Sequence, residues 1–169
     1  MADIHFLVMD VDGTLTDGKV YMGPQGEAMK AFDIKDGYGI KLLLPPKDII
    51  PVIITARQSA MVEHRFKELE VKEIHQGIRN KLDCLISLLN RYSIDNNHFS
   101  LANCAYIGDD LLDLQCMNPI KEQGGIVGCP TDAVDSVKQI ADFVSSKKGG
   151  DGAVREFIEW IVEKNQVCK

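Results

Sequence analysis

The sequence predicts an α/β fold: a mostly parallel sheet with helices on both faces. Short apolar runs of strand length recur at 4–9, 49–54, 103–107, 125–128 and 141–144. Between them lie segments whose apolar residues repeat at helical spacing, the alternation expected of βαβ units. Three of the apolar runs end at or just before a polar residue, Asp10, Thr55 and, past Gly108, Asp109. In a parallel sheet the carboxyl ends of the strands share one edge, which is where open α/β sheets keep their ligands.

Taken in order, the run at 4–9 leads into Asp10-Val11-Asp12-Gly13-Thr14. Two short extended stretches follow, around Gly23-Pro24-Gln25-Gly26, and predict a β-hairpin. Asp36-Gly37-Tyr38-Gly39 then opens a helix over Ile40-Lys41-Leu42-Leu43-Leu44, with Asp36 as its cap and Pro45-Pro46 as its stop. After the strand at 49–54, Ser59 caps a helix through Met61, Val62, Phe66 and Leu69. Glu73-Ile74-His75-Gln76 is a short strand, and Leu82, Leu85, Ile86 and Leu89 place Lys81 at the start of the next helix. The strand at 103–107 runs into Gly108-Asp109-Asp110, and a helix through Leu111, Leu114 and Met117 is halted near Pro119. A helix over 134–140 separates the last two strands. Gly149-Gly150-Asp151-Gly152 would be mobile in isolation and able to fold over an adjacent site. The closing helix carries Val154, Phe157, Ile158, Ile161 and Val162 on one face.

A chain of 169 residues suits one domain, 1–169, with a real core. Its 19 basic and 25 acidic residues leave a net charge of −6, which argues against a general nucleic-acid or anionic-membrane surface. An anionic substrate would need local cations or a metal. The N-terminus enters a short strand with no basic, signal-like segment, so a cytoplasmic protein is expected. The five cysteines, Cys84, Cys104, Cys116, Cys129 and Cys168, form no Cys-x-x-Cys pair and read as reduced and structural.

Asp10 and Asp12, two residues apart at a strand end, suit a division of labour in which one carboxylate attacks or binds metal and the other moves protons. An apolar strand running into an Asp-Gly turn would look the same. Thr55 alone reads equally as a strand residue, Lys81 as a solvated helix lysine, and Asp110 as an N-cap. Together the four clusters come in the order and residue types that phosphoryl transfer requires: carboxylates for Mg²⁺, a hydroxyl donor, and a cation for the phosphoryl oxygens.

The five residues from Asp10 to Thr14 resemble the first motif of the haloacid dehalogenase superfamily, and Thr55, Lys81 and Asp109/Asp110 match its remaining motifs in order. The resemblance implies a three-layer Rossmann-like fold. It also implies that Asp10 forms an aspartyl-phosphate, while Asp12 protonates the leaving oxygen and then activates water. Thr55 and Lys81 would hold the phosphoryl oxygens. Mg²⁺ would be ligated by Asp10, the backbone carbonyl of Asp12 and Asp109, with Asp110 and Asp113 supporting it from nearby. Neither gap between the motifs has room for a cap domain, so the site of a lone subunit would be open, with the hairpin flap at about 18–33 the piece to wall it.

Thr16-Asp17-Gly18, Tyr21, Gly26-Glu27, Lys30-Ala31-Phe32, Asp36-Gly37-Tyr38-Gly39-Ile40, Glu63, Arg65, Gln76-Gly77, Tyr106-Ile107-Gly108-Asp109-Asp110-Leu111 and Gly149-Gly150-Asp151-Gly152-Ala153-Val154-Arg155-Glu156 extend the match. They closely resemble the capless 3-deoxy-D-manno-octulosonate 8-phosphate (KDO 8-phosphate) phosphatase family. That implies a homotetrameric, Mg²⁺-dependent phosphatase in lipopolysaccharide precursor synthesis. A sister family acting on nine-carbon sialic-type 9-phosphates is the rival reading. Arg57 separates the two, because the resemblance puts Arg there in the octulosonate enzymes and Glu in the known nine-carbon enzyme. A guanidinium at that point could hold a sugar-acid carboxylate. Arg65 is the second substrate-binding candidate, reaching a neighbouring subunit's pocket. A receiver-type signalling domain is disfavoured by the position of the Asp pair after the first strand, and a non-catalytic scaffold by retention of Asp10, Asp12, Lys81 and Asp109. Thr14 and Ala56 replace the family's common Val and Gly, and neither is expected to touch the chemistry.

Overall fold

The structure, a computed structural model, describes residues 3–94 and 98–167; Cys168 lies outside them. Six strands form one parallel sheet in the order β5-β4-β1-β6-β7-β8. In chain order they are β1 (Phe6–Met9), β4 (Ile50–Ile54), β5 (Glu73–His75), β6 (Cys104–Ile107), β7 (Ile126–Cys129) and β8 (Phe143–Val144). β2 (Tyr21–Gly23) and β3 (Gly26–Met29) make the separate antiparallel hairpin. The helices are α1 (Ile34–Tyr38), α2 (Ala60–Glu68), α3 (Lys81–Tyr92), α4 (Leu114–Glu122), α5 (Asp135–Ile140) and α6 (Ala153–Val167).

β1 is the centre of the sheet, and all four of its residues are fully buried. Helices cover both faces, so β1 reads as a continuous apolar run rather than an alternating one. Its side chains still obey the period of two. Leu7 and Met9 join one core with Phe66 of α2 and Phe157, Ile158 and Ile161 of α6. Phe6 and Val8 join the other with Leu85 and Leu89 of α3, Met117 and Ile120 of α4, and Val137 of α5. The segment between β1 and β4 holds only the hairpin and a short helical stretch, and no separate cap domain is present among the described residues. No described helix is long and apolar enough to cross a membrane.

Two local expectations are corrected. The helix after the hairpin starts earlier than the Asp36 cap implied. Asp33 is its N-cap, accepting from the Lys35 N–H, and the chain then continues through a π-helical turn at Gly39–Leu43. Asp36 is instead buried, and its Oδ1 accepts from the backbone N–H of Arg155 at 2.7 Å. It thereby satisfies an N–H in the first turn of α6, one of the donors that a helix leaves without an internal partner. Pro119 does not halt α4 but lies inside it. Burial of Met117 and Ile120 against the sheet outweighs the local cost of a proline there. The Gly149-Gly150 segment packs on its own chain: Gly149 N–H donates to Asp132 Oδ1 at 3.0 Å and Gly150 N–H to the Thr14 carbonyl at 3.1 Å. A Cβ at Gly149 would lie 1.9 Å from the Gly13 oxygen, so only glycine allows this approach. The four cysteines that are described are free thiols.

Candidate active site

The chain runs from β1 outward to β4 and β5, then returns to the other side of β1 for β6. The sheet order reverses at β1, and a crevice opens at the carboxyl ends of such strands. Asp10, Thr55 and Asp109 follow β1, β4 and β6 and so meet at this point. A cleft of about 180 Å³ there is lined by Asp10, Asp12, Thr55, Ala56, Arg57, Lys81, Asp110, Leu112 and Asp113.

Lys81 arrives as the first residue of α3, whose N-cap Asn80 accepts from the Asp83 N–H. The Lys81 backbone N–H donates to Gln115 Oε1 at 3.1 Å, tying α3 to α4. The side chain is almost fully buried, with Nζ 2.6 Å from Asp10 Oδ1 and 2.8 Å from Asp113 Oδ1. Asp113 also accepts from the Tyr106 hydroxyl at 2.8 Å, from Asp109 N–H at 2.9 Å and from Asp110 N–H at 3.1 Å. Its two oxygens therefore accept four hydrogen bonds, which is about what a carboxylate can take.

The electrostatics follow from this crowding. Burial, reinforced by Asp113, raises Asp10 to about 8 against the opposing pull of Lys81. Burial and then Asp113 raise Asp109 to about 7, while the Thr14 hydrogen bond opposes. Burial pulls the Lys81 ammonium down, but Asp10 and Asp113 outweigh it and hold its pKa above the ordinary lysine value.

Oxygens of Asp10, Asp109 and Asp113 lie within 4.8 Å of one another, a grouping that could hold a metal ion. One ammonium facing three carboxylates leaves excess negative charge, which fits a hard divalent cation with oxygen ligands. Since Asp113 is already saturated, Asp10 and Asp109 are the carboxylates with capacity to spare. Asp110 is exposed, and its Oδ1 accepts from Leu111 N–H at 2.7 Å.

Asp12 occupies the opposite wall. Its Oδ1 pairs with Lys30 Nζ, while Oδ2 is buried without a hydrogen-bond partner. Lys30 also meets Glu27 Oε1 at 3.0 Å, and Arg57 meets the same oxygen at 3.2 Å. The Arg57 Nε stands 4.0 Å from Asp12 Oδ2. Arg65 does not line this cleft. It pairs with Glu68 at 2.9 Å and packs against Gly37.

The expectation that Thr14 stays clear of the chemistry is overturned, since its hydroxyl donates to Asp109 Oδ1 at 2.9 Å. Sequence reasoning also missed Lys30, Glu27 and Tyr106 as site residues. Tyr106 carried a signal: a hydroxyl in an otherwise aliphatic buried strand needs a partner. Lys30 carried a weaker one, three residues beyond Glu27 at the end of a hairpin strand.

No protein-family model matches the chain. Among curated proteins, 3-deoxy-D-manno-octulosonate 8-phosphate phosphatase KdsC of Escherichia coli (strain K12) is 40% identical over 160 residues, which cover 95% of this chain and 80% of that protein. KdsC of Yersinia pestis is 39% identical over 161 residues, covering 95% of this chain and 81% of that protein. The Moraxella catarrhalis phosphatase, solved in complex with magnesium ion, phosphate ion and KDO, superposes with a TM-score of 0.83 at 39% identity, covering 95% of this chain and 86% of that one. The cobalt-bound Haemophilus influenzae phosphatase gives 0.86 at 33% identity, covering 97% and 90%. With the motif order, the fold and these relatives in agreement, the chain belongs to the 3-deoxy-D-manno-octulosonate 8-phosphate phosphatase family of the haloacid dehalogenase superfamily.

Proposed function

We propose that the protein is a Mg²⁺-dependent phosphatase that hydrolyses 3-deoxy-D-manno-octulosonate 8-phosphate to the free sugar acid and phosphate. The observation that carries this reading is the meeting of Asp10 and Lys81, 71 residues apart, at 2.6 Å on the floor of the cleft. A carboxylate nucleophile and a cation for the group it attacks are thereby at one point.

Asp10 attacks phosphorus and Lys81 offsets charge on the transferring group, with Thr55 beside it as a hydroxyl donor. Asp12 donates a proton to the departing sugar oxygen, then takes one from the water that releases phosphate from Asp10. Asp10, the Asp12 carbonyl and Asp109 would hold Mg²⁺, with Asp113 and Asp110 fixing the loop that carries Asp109. The ion, when bound, screens the repulsion between an anionic nucleophile and an anionic ester. Arg57, its side chain 45% exposed at the mouth, is the group to pair with the substrate carboxylate. The same reading carries a single functional domain, a place in lipopolysaccharide precursor synthesis, a cytoplasmic location and a homotetramer. Neighbouring subunits, Arg65 included, would close a cleft that one chain leaves open.

Phosphate release from octulosonate 8-phosphate, sialate 9-phosphate and hexose phosphates, with and without Mg²⁺, tests the reading beside Asp10→Asn. A strong preference for the octulosonate ester is expected, falling about 10⁴-fold or more in the variant. Preference for the nine-carbon ester, or turnover of none, would overturn it.

A further inference from the structure

Lys30 is a lysine almost without exposed side chain: only 1% of it reaches solvent. Lysine is seldom so buried unless its charge is paired, because an unpaired ammonium away from water costs several kcal/mol. It sits immediately after β3, in a hairpin whose apolar side chains Met22 and Met29 are 69% and 56% exposed. The hairpin thus leaves large apolar side chains in solvent while burying a cation, and that cation points at Asp12. Glu27, three residues earlier, holds the same ammonium from the other side.

Asp12 has two oxygens in unlike states. Oδ1 is taken by Lys30, and Oδ2 is buried with no hydrogen-bond partner. Arg57 Nε stands 4.0 Å from Oδ2, and a buried carboxylate oxygen left without a hydrogen bond is costly unless some later group uses it. We propose that Lys30 is a positioning residue for Asp12, holding Oδ1 so that Oδ2 is the atom that passes a proton to the leaving oxygen. The inference rests on the phosphatase reading. As an Asp10 oxygen bonds to phosphorus, the bond from phosphorus to the ester oxygen breaks, and that oxygen keeps the electron pair. It takes the proton from Asp12 Oδ2 and departs as an alcohol. Asp12 Oδ2 then accepts a proton from the water that attacks the aspartyl-phosphate, which restores Asp10 and releases inorganic phosphate.

A positioned acid matters most when the leaving group is a poor one. Lys30→Met keeps the length of the side chain and removes the charge. It should be assayed as kcat/KM, which covers events only through formation of the aspartyl-phosphate. The substrates are esters running from acidic phenols to the octulosonate alcohol, with wild type, Lys30→Arg and Glu27→Gln alongside. The expected result for Lys30→Met is a loss of about 100-fold on the sugar ester against less than about 10-fold on nitrophenyl phosphate. Lys30→Arg should recover part of the difference. Glu27→Gln loosens the lysine but also releases Arg57 from the same oxygen, so its tilt is read along the phenyl esters, which carry no carboxylate; it should be the same tilt, weaker, and it serves if Lys30→Met fails to fold. Equal losses across the series, or no loss, would overturn the inference while leaving the phosphatase reading intact. A wild type inactive on every ester would remove the reaction that both require.

Discussion

The two sides of the cleft are built on different terms. On the floor, Asp10, Lys81, Asp113 and Tyr106 are each buried, and each finds a partner among the others. They come from β1, β6 and the ends of α3 and α4, all clamped by the parallel sheet. The opposite wall, made of Asp12, Glu27, Lys30 and Arg57, spans the loop after β1, the hairpin and the loop after β4. A two-stranded ribbon on its own is marginal in stability. Invariant chemistry needs fixed geometry, whereas admitting and releasing a sugar acid needs a side that can adjust. The difference between floor and wall therefore matches the difference between attack on phosphorus and handling of the group that leaves it, its proton included.

That contrast breaks most visibly at Asp113. Asp113→Ala removes one of the two carboxylates that hold Lys81, and the acceptor of the Tyr106 hydroxyl and of two backbone N–H groups. Lys81 keeps Asp10 Oδ1 at 2.6 Å, but each buried donor left without its acceptor costs about 1–3 kcal/mol. Denaturant unfolding should register that loss, and the midpoint of thermal unfolding should fall by about 10 °C. A loss under about 1 kcal/mol would mean that the floor is no more tightly built than the wall.

A smaller effect comes from pH and metal. Asp10 and Asp109 are raised to about 8 and about 7 from an ordinary 3.8, so the folded chain keeps protons that the unfolded chain has released. Their contribution to stability is present below about pH 4 and is lost as pH rises through about 7 and 8. Without metal, the unfolding temperature should fall between pH 5 and pH 8. Mg²⁺ favours the ionised carboxylates and should restore stability more at pH 8 than at pH 5, by roughly 2–3 kcal/mol at a hundredfold excess over its dissociation constant. Asp36, raised to about 7 chiefly by burial and with one oxygen unpartnered, has the same sign but is not among the residues lining the cleft. Asp36→Asn should flatten part of the pH dependence whether or not Mg²⁺ is present. Equal protection by Mg²⁺ at both pH values would separate the metal from these carboxylates.

What the sequence disclosed divides by whether a residue stands just past a strand end or at a helix start. Floor residues announced themselves because strand ends are readable: an apolar run that stops at Asp10, Thr55 or Asp109 marks both the edge of the sheet and what stands on it. Lys81 was readable from the helical spacing of Leu82, Leu85 and Leu89. Of the wall, Asp12 and Arg57 were readable from the sequence, but Glu27 and Lys30 were not, because a hairpin's docking against the sheet is a tertiary fact that its own pattern does not encode. The partnership of Lys30 with Asp12, and of Asp36 with Arg155, joins segments 18 and 119 residues apart. Asp36 looked like a helix cap and is one, but for a helix at the other end of the chain. Pro119 was misread because propensity is local, whereas the packing that holds α4 is not.

The finest test lies at the edge of the floor. Thr14 lies in the turn that follows β1, and its hydroxyl donates to Asp109 Oδ1 at 2.9 Å. Such a bond helps keep Asp109 ionised and aimed, and a single hydrogen bond is worth about 1 kcal/mol. Thr14→Val should therefore raise the Mg²⁺ concentration for half-maximal activity by about fivefold and leave kcat at saturating Mg²⁺ near the wild-type value. An unchanged Mg²⁺ requirement would mean that bound metal takes over the Asp109 oxygen from Thr14, so that the hydroxyl orders the loop only while the ion is absent. A fall in kcat that extra Mg²⁺ cannot restore would instead place Thr14 in the alignment of Asp10 itself, since both belong to the one turn that follows β1.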